Sequence, residues 1–204
     1  MSLHARFRLL PLILVLTAWS PLVHSASASG GAVYQVDATH SSVEFSISKW
    51  TVTVQTGTFR SLGGTIRMDP DRPETARVEI RIAASSLDTR NENRDAAVRS
   101  DDFLDVANHP FIIFRSSAIR AEGPGSYGVT GDLTIRGVTR RIVAPVRMIG
   151  IEAVPGVGEL ASFETTFHLD RRDFNVLGTR WSGGSAILGD EVTVRLRIVA
   201  RRVD

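Results

Sequence analysis

The hydrophobic period limits what this chain can become more than any other feature. Apolar residues recur at every second position in one short run after another. Val43, Phe45 and Ile47 alternate with Ser42, Glu44, Ser46 and Ser48; Val78, Ile80 and Ile82 alternate with Arg77, Glu79 and Arg81. Successive side chains of a strand point to opposite faces, so this spacing gives a sheet with one apolar and one solvated side. The rhythm returns at residues 66–68, 127–135, 142–148, 163–169 and 192–198, with a short apolar run at 111–114. Val52 and Val54 read as continuing the first strand past Trp50. Gly63-Gly64 reads as a turn, Pro70-Asp71-Arg72-Pro73 as a loop, and Gly123-Pro124-Gly125 as a turn. Arg136-Gly137-Val138-Thr139 reads as a hairpin and residues 150–160 as a loop. One stretch, 85–109, breaks the rhythm: residues 91–98 suit a short polar helix. Ser100 can cap a second turn carrying Phe103 and Leu104, with Asp101 and Asp102 near its start and Pro110 ending it. About eight strands result, enough to close into an antiparallel barrel. A two-sheet sandwich has the same periodicity.

The first residues differ in kind. Arg6 and Arg8 precede an apolar run over residues 9–19, and Ala26-Ser27-Ala28 fits the cleavage pattern of a secretory leader. The run is about half of the roughly 20 residues a membrane-spanning helix needs. Residues 1–28 are therefore expected to be a signal peptide and 29–204 one mature domain. The whole chain has 24 basic and 22 acidic residues; the leader holds two of the bases and none of the acids. The mature domain is then neutral, without the basic field that would point to nucleic acid. Cysteine is absent, which excludes disulfides, thiolate catalysis and cysteine-based metal sites. An exported domain of this kind must be held by its core.

Catalytic signatures are weak. His40, His109 and His168 lie far apart, with no metal-ligand spacing. Asp37, His40 and Ser41 hold the ingredients of a nucleophilic triad, but crowded within five residues they read as a turn or a strand-end hydrogen bond. Asp170 and Asp173 flank Arg171 and Arg172 and read as a salt-bridged loop. The Gly123–128 segment lacks the lysine and helix of a phosphate loop. No catalytic residue, metal or cofactor is assigned.

Aromatic residues occur in nearly every element, and each alone is explained by a core. Collectively they pose a choice, because an apolar-faced sheet that closes must fill its centre or bind something there.

Several segments together carry a resemblance. These are Tyr34-Gln-Val-Asp37 with His40-Ser41 and Phe45; Gly57-Thr-Phe59 with Gly63-Gly64; and Ser86-Leu87-Asp-Thr89. Arg94-Asp95 follows, running through Asp102-Phe103-Leu-Asp105 to His109-Pro110 and Phe114-Arg-Ser116. Gly131-Asp-Leu-Thr-Ile-Arg-Gly137-Val-Thr139, Arg171-Arg-Asp-Phe174 and Gly189-Asp-Glu-Val-Thr-Val194 complete the set. In this order they resemble the YceI-like family of exported, polyisoprenoid-binding, lipocalin-like bacterial proteins. The resemblance implies an all-β, eight-stranded antiparallel lipocalin-like β-barrel with a short helical segment near one opening. It also implies a periplasmic, non-enzymatic binder of a long polyisoprenoid chain, such as a quinone tail, for carriage, storage or stress response. The partner is then an apolar small molecule, with no nucleic acid and no permanent membrane span; transient membrane contact and a homodimer are both compatible. Expected ligand contacts are Phe45, Trp50, Phe59, Phe103, Phe114, Phe167, Phe174 and Trp181, with Arg94 and Asp95 fixing the helical loop at the mouth. The sequence departs from the family where histidines are usual, beside Lys49-Trp50 and at Ala97-Val98, and where Asn175 replaces a glycine after Phe174. Two rival readings remain at this point: a lipid-converting enzyme with His40 as base, and a scaffold whose barrel is filled by its own side chains.

Overall fold

The computed structural model describes residues 31–49, 52–180 and 188–204. In chain order the strands are β1 (Ala32–Val36), β2 (Ser42–Lys49), β3 (Thr53–Phe59), β4 (Leu62–Met68), β5 (Arg77–Ala83) and β6 (Leu87–Asp88). The helix α1 (Glu92–Arg99) follows, then β7 (Phe111–Gly123), β8 (Ser126–Ile135), β9 (Val138–Val154), β10 (Gly158–Asp170) and β11 (Leu188–Arg202). Every pairing is antiparallel, and the order β1-β4-β5-β7-β8-β9-β10-β11 returns to β1. The sheet therefore closes into an eight-stranded barrel, which removes the free edges a sandwich would keep. The strand that closes it is short. β1 pairs with β4 through Ala32 to Gln35 and with β11 through Tyr34 to Val36. Tyr34, wholly buried there, donates its hydroxyl to Glu159 at 2.5 Å.

β2 continues along the same edge of β11 after a break, and β3 and β6 extend from it. The break is built by the three residues with triad composition. Asp37 accepts from the backbone of Thr39 at 2.9 Å and from the His40 ring at 2.8 Å. Ser41 turns away from both: its hydroxyl donates to the Val199 carbonyl and accepts from the Val199 amide at 3.0 Å. It replaces a missing rung of the ladder between β1 and β2, as a strand-end hydrogen bond would.

Several local expectations need correction. Gly63-Gly64 is no turn but lies inside β4, and the chain bends at Arg60-Ser61 instead. The glycine serves close approach, since a Cβ on Gly64 would sit 2.1 Å from the Glu79 carbonyl oxygen. Residues 150–160 are mostly strand; β9 and β10 run on to a tight turn at 155–157. The glycine that suggested a loop marks a bulge, where Ile149 drops out of register between Met148 and Gly150. Val52 and Val54 do not prolong β2. Their even numbering is out of phase with Val43, Phe45 and Ile47; Val52 is exposed in a turn and Val54 is exposed on the returning strand β3. β7 extends well beyond the apolar run at 111–114, held by β8 despite a polar sequence.

Other local readings hold. Arg136 and Gly137 both have positive φ, 48° and 71°, the geometry of a two-residue hairpin, with Ile135 opposite Val138. Gly123-Pro124-Gly125 turns β7 into β8. α1 is capped by Asn91, whose side chain accepts from the Arg94 amide. Asn175, in place of the usual glycine, takes the left-handed conformation at φ 58°, which asparagine tolerates better than most residues.

Candidate functional site

The inward faces of β2–β5 and β7–β11 do not meet. They enclose a cavity of about 310 Å³, near the lower end of the roughly 300–1,000 Å³ usual for small-molecule sites. This contradicts the filled-barrel reading. The alternation that defined the strands also defines the wall. Val43, Phe45 and Ile47 face it from β2, Val78, Ile80 and Ile82 from β5, and Ile142, Ala144, Val146 and Met148 from β9. Nearly all of the lining is aliphatic or aromatic.

Six of the eight aromatic residues expected as contacts line this cavity: Phe45, Phe59, Phe103, Phe114, Phe167 and Phe174. Trp50 and Trp181 lie outside the described residues. Phe45 and Phe59 touch across β2 and β3 with ring centroids 5.7 Å apart, a tilted contact that suits the quadrupoles of both rings. Three rings are seated over glycines. A Cβ on Gly57 would come within 2.4 Å of the Phe45 ring, on Gly131 within 2.5 Å of Phe114, and on Gly178 within 2.3 Å of Phe103. Gly57 and Gly131, both in the recognisable segments, and Gly178 thus make room for rings of the aromatic wall. Phe111 is different: it lies 41% exposed under the Arg81 guanidinium, 4.6 Å from its ring centroid.

Choosing aromatics alone undercounts the site. Most of the wall is aliphatic, including Val129, Leu133, Val194 and Leu196. Their period-two positions were the signal that could have found them.

One end of the cavity carries polar groups: Lys49, Gln55, Thr56, Thr89 and Arg94. Arg94 donates to the Thr89 hydroxyl at 2.7 Å, to the Thr89 carbonyl at 2.6 Å and to the Gln55 side-chain oxygen at 2.5 Å. Buried Asp95 accepts from the Thr89 amide at 2.9 Å and its hydroxyl at 2.5 Å. The two residues fasten α1 to the segment after β6 and to β3. Next to them Arg171, 5% exposed, donates to the carbonyls of Val176, Leu177 and Gly189 and to the Asp190 carboxylate at 3.0 Å. Asp102 holds the neighbouring turn, accepting from the Arg180 amide at 2.9 Å and the Thr179 hydroxyl at 3.1 Å.

His40 does not line the cavity; it is exposed at the break between β1 and β2. A base at that position has no access to a ligand inside the barrel. Asp170 and Arg172 form the expected exposed ion pair, at 2.7 Å. Among the described residues no group of three or more potential ligands is placed to hold a metal ion. No helix among them is long and apolar enough to cross a membrane.

Comparison with known proteins gives a consistent result. A family model described as YceI-like domain matches residues 34–200. A UPF0312 protein of Ectopseudomonas mendocina is 34% identical over 165 residues, covering 78% of this chain and 86% of that protein. Protein YceI of Escherichia coli O157:H7 is 32% identical over 160 residues, covering 78% and 83%. Among solved structures, Burkholderia cenocepacia BcnA superposes with a TM-score of 0.72 at 27% identity, over 80% of this chain and 98% of that one. A polyisoprenoid binding domain from Saccharophagus degradans shares the fold, with a TM-score of 0.68 at 17% identity over 84% and 99%. The family match begins at the Tyr34 that closes the barrel and ends at Ala200 on the strand it closes against, and this chain belongs to the YceI-like family.

Proposed function

We propose that this protein binds a long apolar chain, a polyisoprenoid, threaded through the barrel interior. The observation that carries the reading is the cavity itself, open space inside a closed barrel with a wall almost wholly of hydrocarbon. A polyisoprenoid binding domain of the same fold supports the ligand class. Hydrophobic transfer supplies the energy. At about 0.8 kcal/mol per buried CH₂, a five-carbon isoprene unit contributes roughly 4 kcal/mol gross. Three or four units exceed an association cost of about 10 kcal/mol without any directional bond. The Phe45, Phe59, Phe103, Phe114, Phe167 and Phe174 rings then act as apolar lining rather than as reacting groups.

In this account residues 1–28 are a cleaved leader and residues 29–204 work in the periplasm as a carrier or reservoir. A molecule too insoluble to cross water alone gives such a carrier its reason. The protein binds its ligand without converting it.

The test is a titration with a polyprenyl quinone, followed by displacement of a fluorescent apolar probe. Phe114→Asp, which puts a carboxylate into the wall, should abolish binding in a folded variant. Phe111→Ala, on the outside, should leave it unchanged. Equal binding by Phe114→Asp would remove the site from the barrel interior.

A further inference from the structure

We propose that the barrel holds an uncharged polar site deep in its apolar wall, at the Tyr127 and Thr165 hydroxyls, and that it takes a carbonyl oxygen carried on the ligand. This rests on the reading of the cavity as the site of a long apolar chain and adds a chemical requirement on that chain.

Thr165 is the exception in its surroundings. The residue lines the cavity, yet its hydroxyl is buried and no group of the protein answers it. Alternation along β10 places it on the inward face between Phe163 and Phe167, and its cross-strand partners are Val146 and Leu196. All four side chains are hydrocarbon. A buried donor without an acceptor is destabilising, and valine has nearly the same shape without that cost. Threonine here finds its physical reason in an acceptor that the protein does not supply. One step of χ1 between staggered wells exchanges the hydroxyl with the methyl group, so an oxygen inside the cavity can be met without moving the backbone.

Tyr127 stands at the same level. Val146 pairs with Thr165 on one side and with Tyr127 on the other, so the two residues flank β9 with their backbones about 10 Å apart. Tyr127 also lines the cavity, and its hydroxyl makes no hydrogen bond with another described residue. Each hydroxyl is a donor, and a carbonyl oxygen has two lone pairs with which to accept from both.

This site is separate from the polar groups around Arg94. Leu169 is in register, through Val192 and Ile47, with Gln55. Thr165 lies four residues further along β10, a distance of roughly 13 Å. The cationic lining residues among those described, Lys49, Arg94 and Arg171, belong to that other end. Glu164, beside Thr165 in sequence, is held at the outer face by Arg147 at 3.0 Å and Arg197 at 3.2 Å. An anion at the level of Thr165 would lack a cation, and a bare hydrocarbon would leave the hydroxyls unanswered. A neutral acceptor meets both conditions.

The experiment titrates the full chain with two ligands of one skeleton, geranylgeranylacetone and the hydrocarbon in which a methylene replaces its carbonyl. Each displaces the same apolar probe. Hydrophobic transfer favours the hydrocarbon in any apolar pocket, so the informative quantity is the change that a variant makes in the ratio of the two affinities. Thr165→Val and Tyr127→Phe each remove one hydroxyl with little change of shape. Each should weaken ketone binding about fivefold and leave the hydrocarbon within about twofold of wild type. Thr165→Val should do so while raising the stability of the protein itself, a combination that a damaged wall does not produce. Infrared spectroscopy with the carbonyl isotope-labelled gives a second reading. The stretch of the ketone bound to wild type should lie below its position in a hydrocarbon solvent and move back toward it in either variant. A ratio unchanged in either variant, or a wild-type carbonyl absorbing as it does in hydrocarbon, would overturn the proposal. Failure of both ligands to bind wild type would instead overturn the apolar-chain reading, and this proposal with it.

Discussion

Replacing three glycines by alanine tests whether the wall is built as described. None of Gly57, Gly131 and Gly150 has left-handed backbone, so conformational strain does not enter and the added methyl group is the whole perturbation. At Gly57 the new Cβ would lie 2.4 Å from the far end of the Phe45 ring and 2.9 Å from a methyl of Thr89. Carbon atoms settle at about 3.5–4.0 Å, so the ring must move by roughly 1 Å or more. Phe45 can yield by tilting into the cavity, at the cost of about 1–3 kcal/mol typical of overpacking. At Gly131 the Cβ would meet both the Phe114 ring and, at 2.5 Å, the backbone carbonyl of Arg115. Backbone paired on both sides has nowhere to go, and the cost should exceed about 3 kcal/mol. At Gly150 nothing lies within 4 Å, and the change should stay within about 0.5 kcal/mol. For a protein of this size each kcal/mol lowers Tm by about 2–4 °C, so thermal denaturation resolves the series. Gly57→Ala should also weaken binding of an apolar probe, because the displaced ring occupies ligand space. A reversed order of Gly131 and Gly57, or a loss at Gly150 as large as theirs, would refute the reasoning.

Further outcomes follow from other contacts. Thr165 lines the cavity between Phe163 and Phe167, and its buried hydroxyl has no partner; Thr165→Val should therefore gain up to about 1 kcal/mol in urea denaturation, and a clear loss would show a bond made in solution. Arg171→Met should cost more than about 3 kcal/mol by the same assay, since it leaves several loop carbonyls and Asp190 without their donor. Burial, reinforced by the hydrogen bond to Glu159, pushes the Tyr34 phenol up to about 12. Its folded-state value lies above the unfolded one, so the stabilisation is complete below about pH 10 and is lost as pH rises toward 12. Tyr34→Phe should flatten that alkaline slope. The Asp170 carboxyl is held below the usual range by the Arg172 side chain and then by the Arg172 amide; its contribution is present above about pH 4 and fades as pH falls further. Asp170→Asn should reduce the acid dependence of the denaturation midpoint.

The parts of this molecule governed by local pattern were readable in its sequence. Alternation located the apolar faces, the Arg136-Gly137 hairpin followed from turn chemistry, and the helix at 91–98 matched α1 with its Asn91 cap. What depends on pairing with distant strands was not readable. β1 is too short to announce itself, yet Tyr34 meets Ile66 on one side and Arg202 on the other. Glycine misled for the same reason: at Gly64 and Gly150 it answers to a neighbouring strand or a bulge rather than to a turn. In the site, choosing aromatics found rings but passed over the aliphatic wall, and no local signal showed that Arg94 would face the cavity.

The central claim, that an apolar chain occupies the barrel, is tested most directly by isolating the protein from its native cells and extracting it with organic solvent. Mass spectrometry of the extract should show a polyprenyl lipid near one per protein. An extract without lipid, from a protein that also refuses added polyprenyl ligands, would contradict the account.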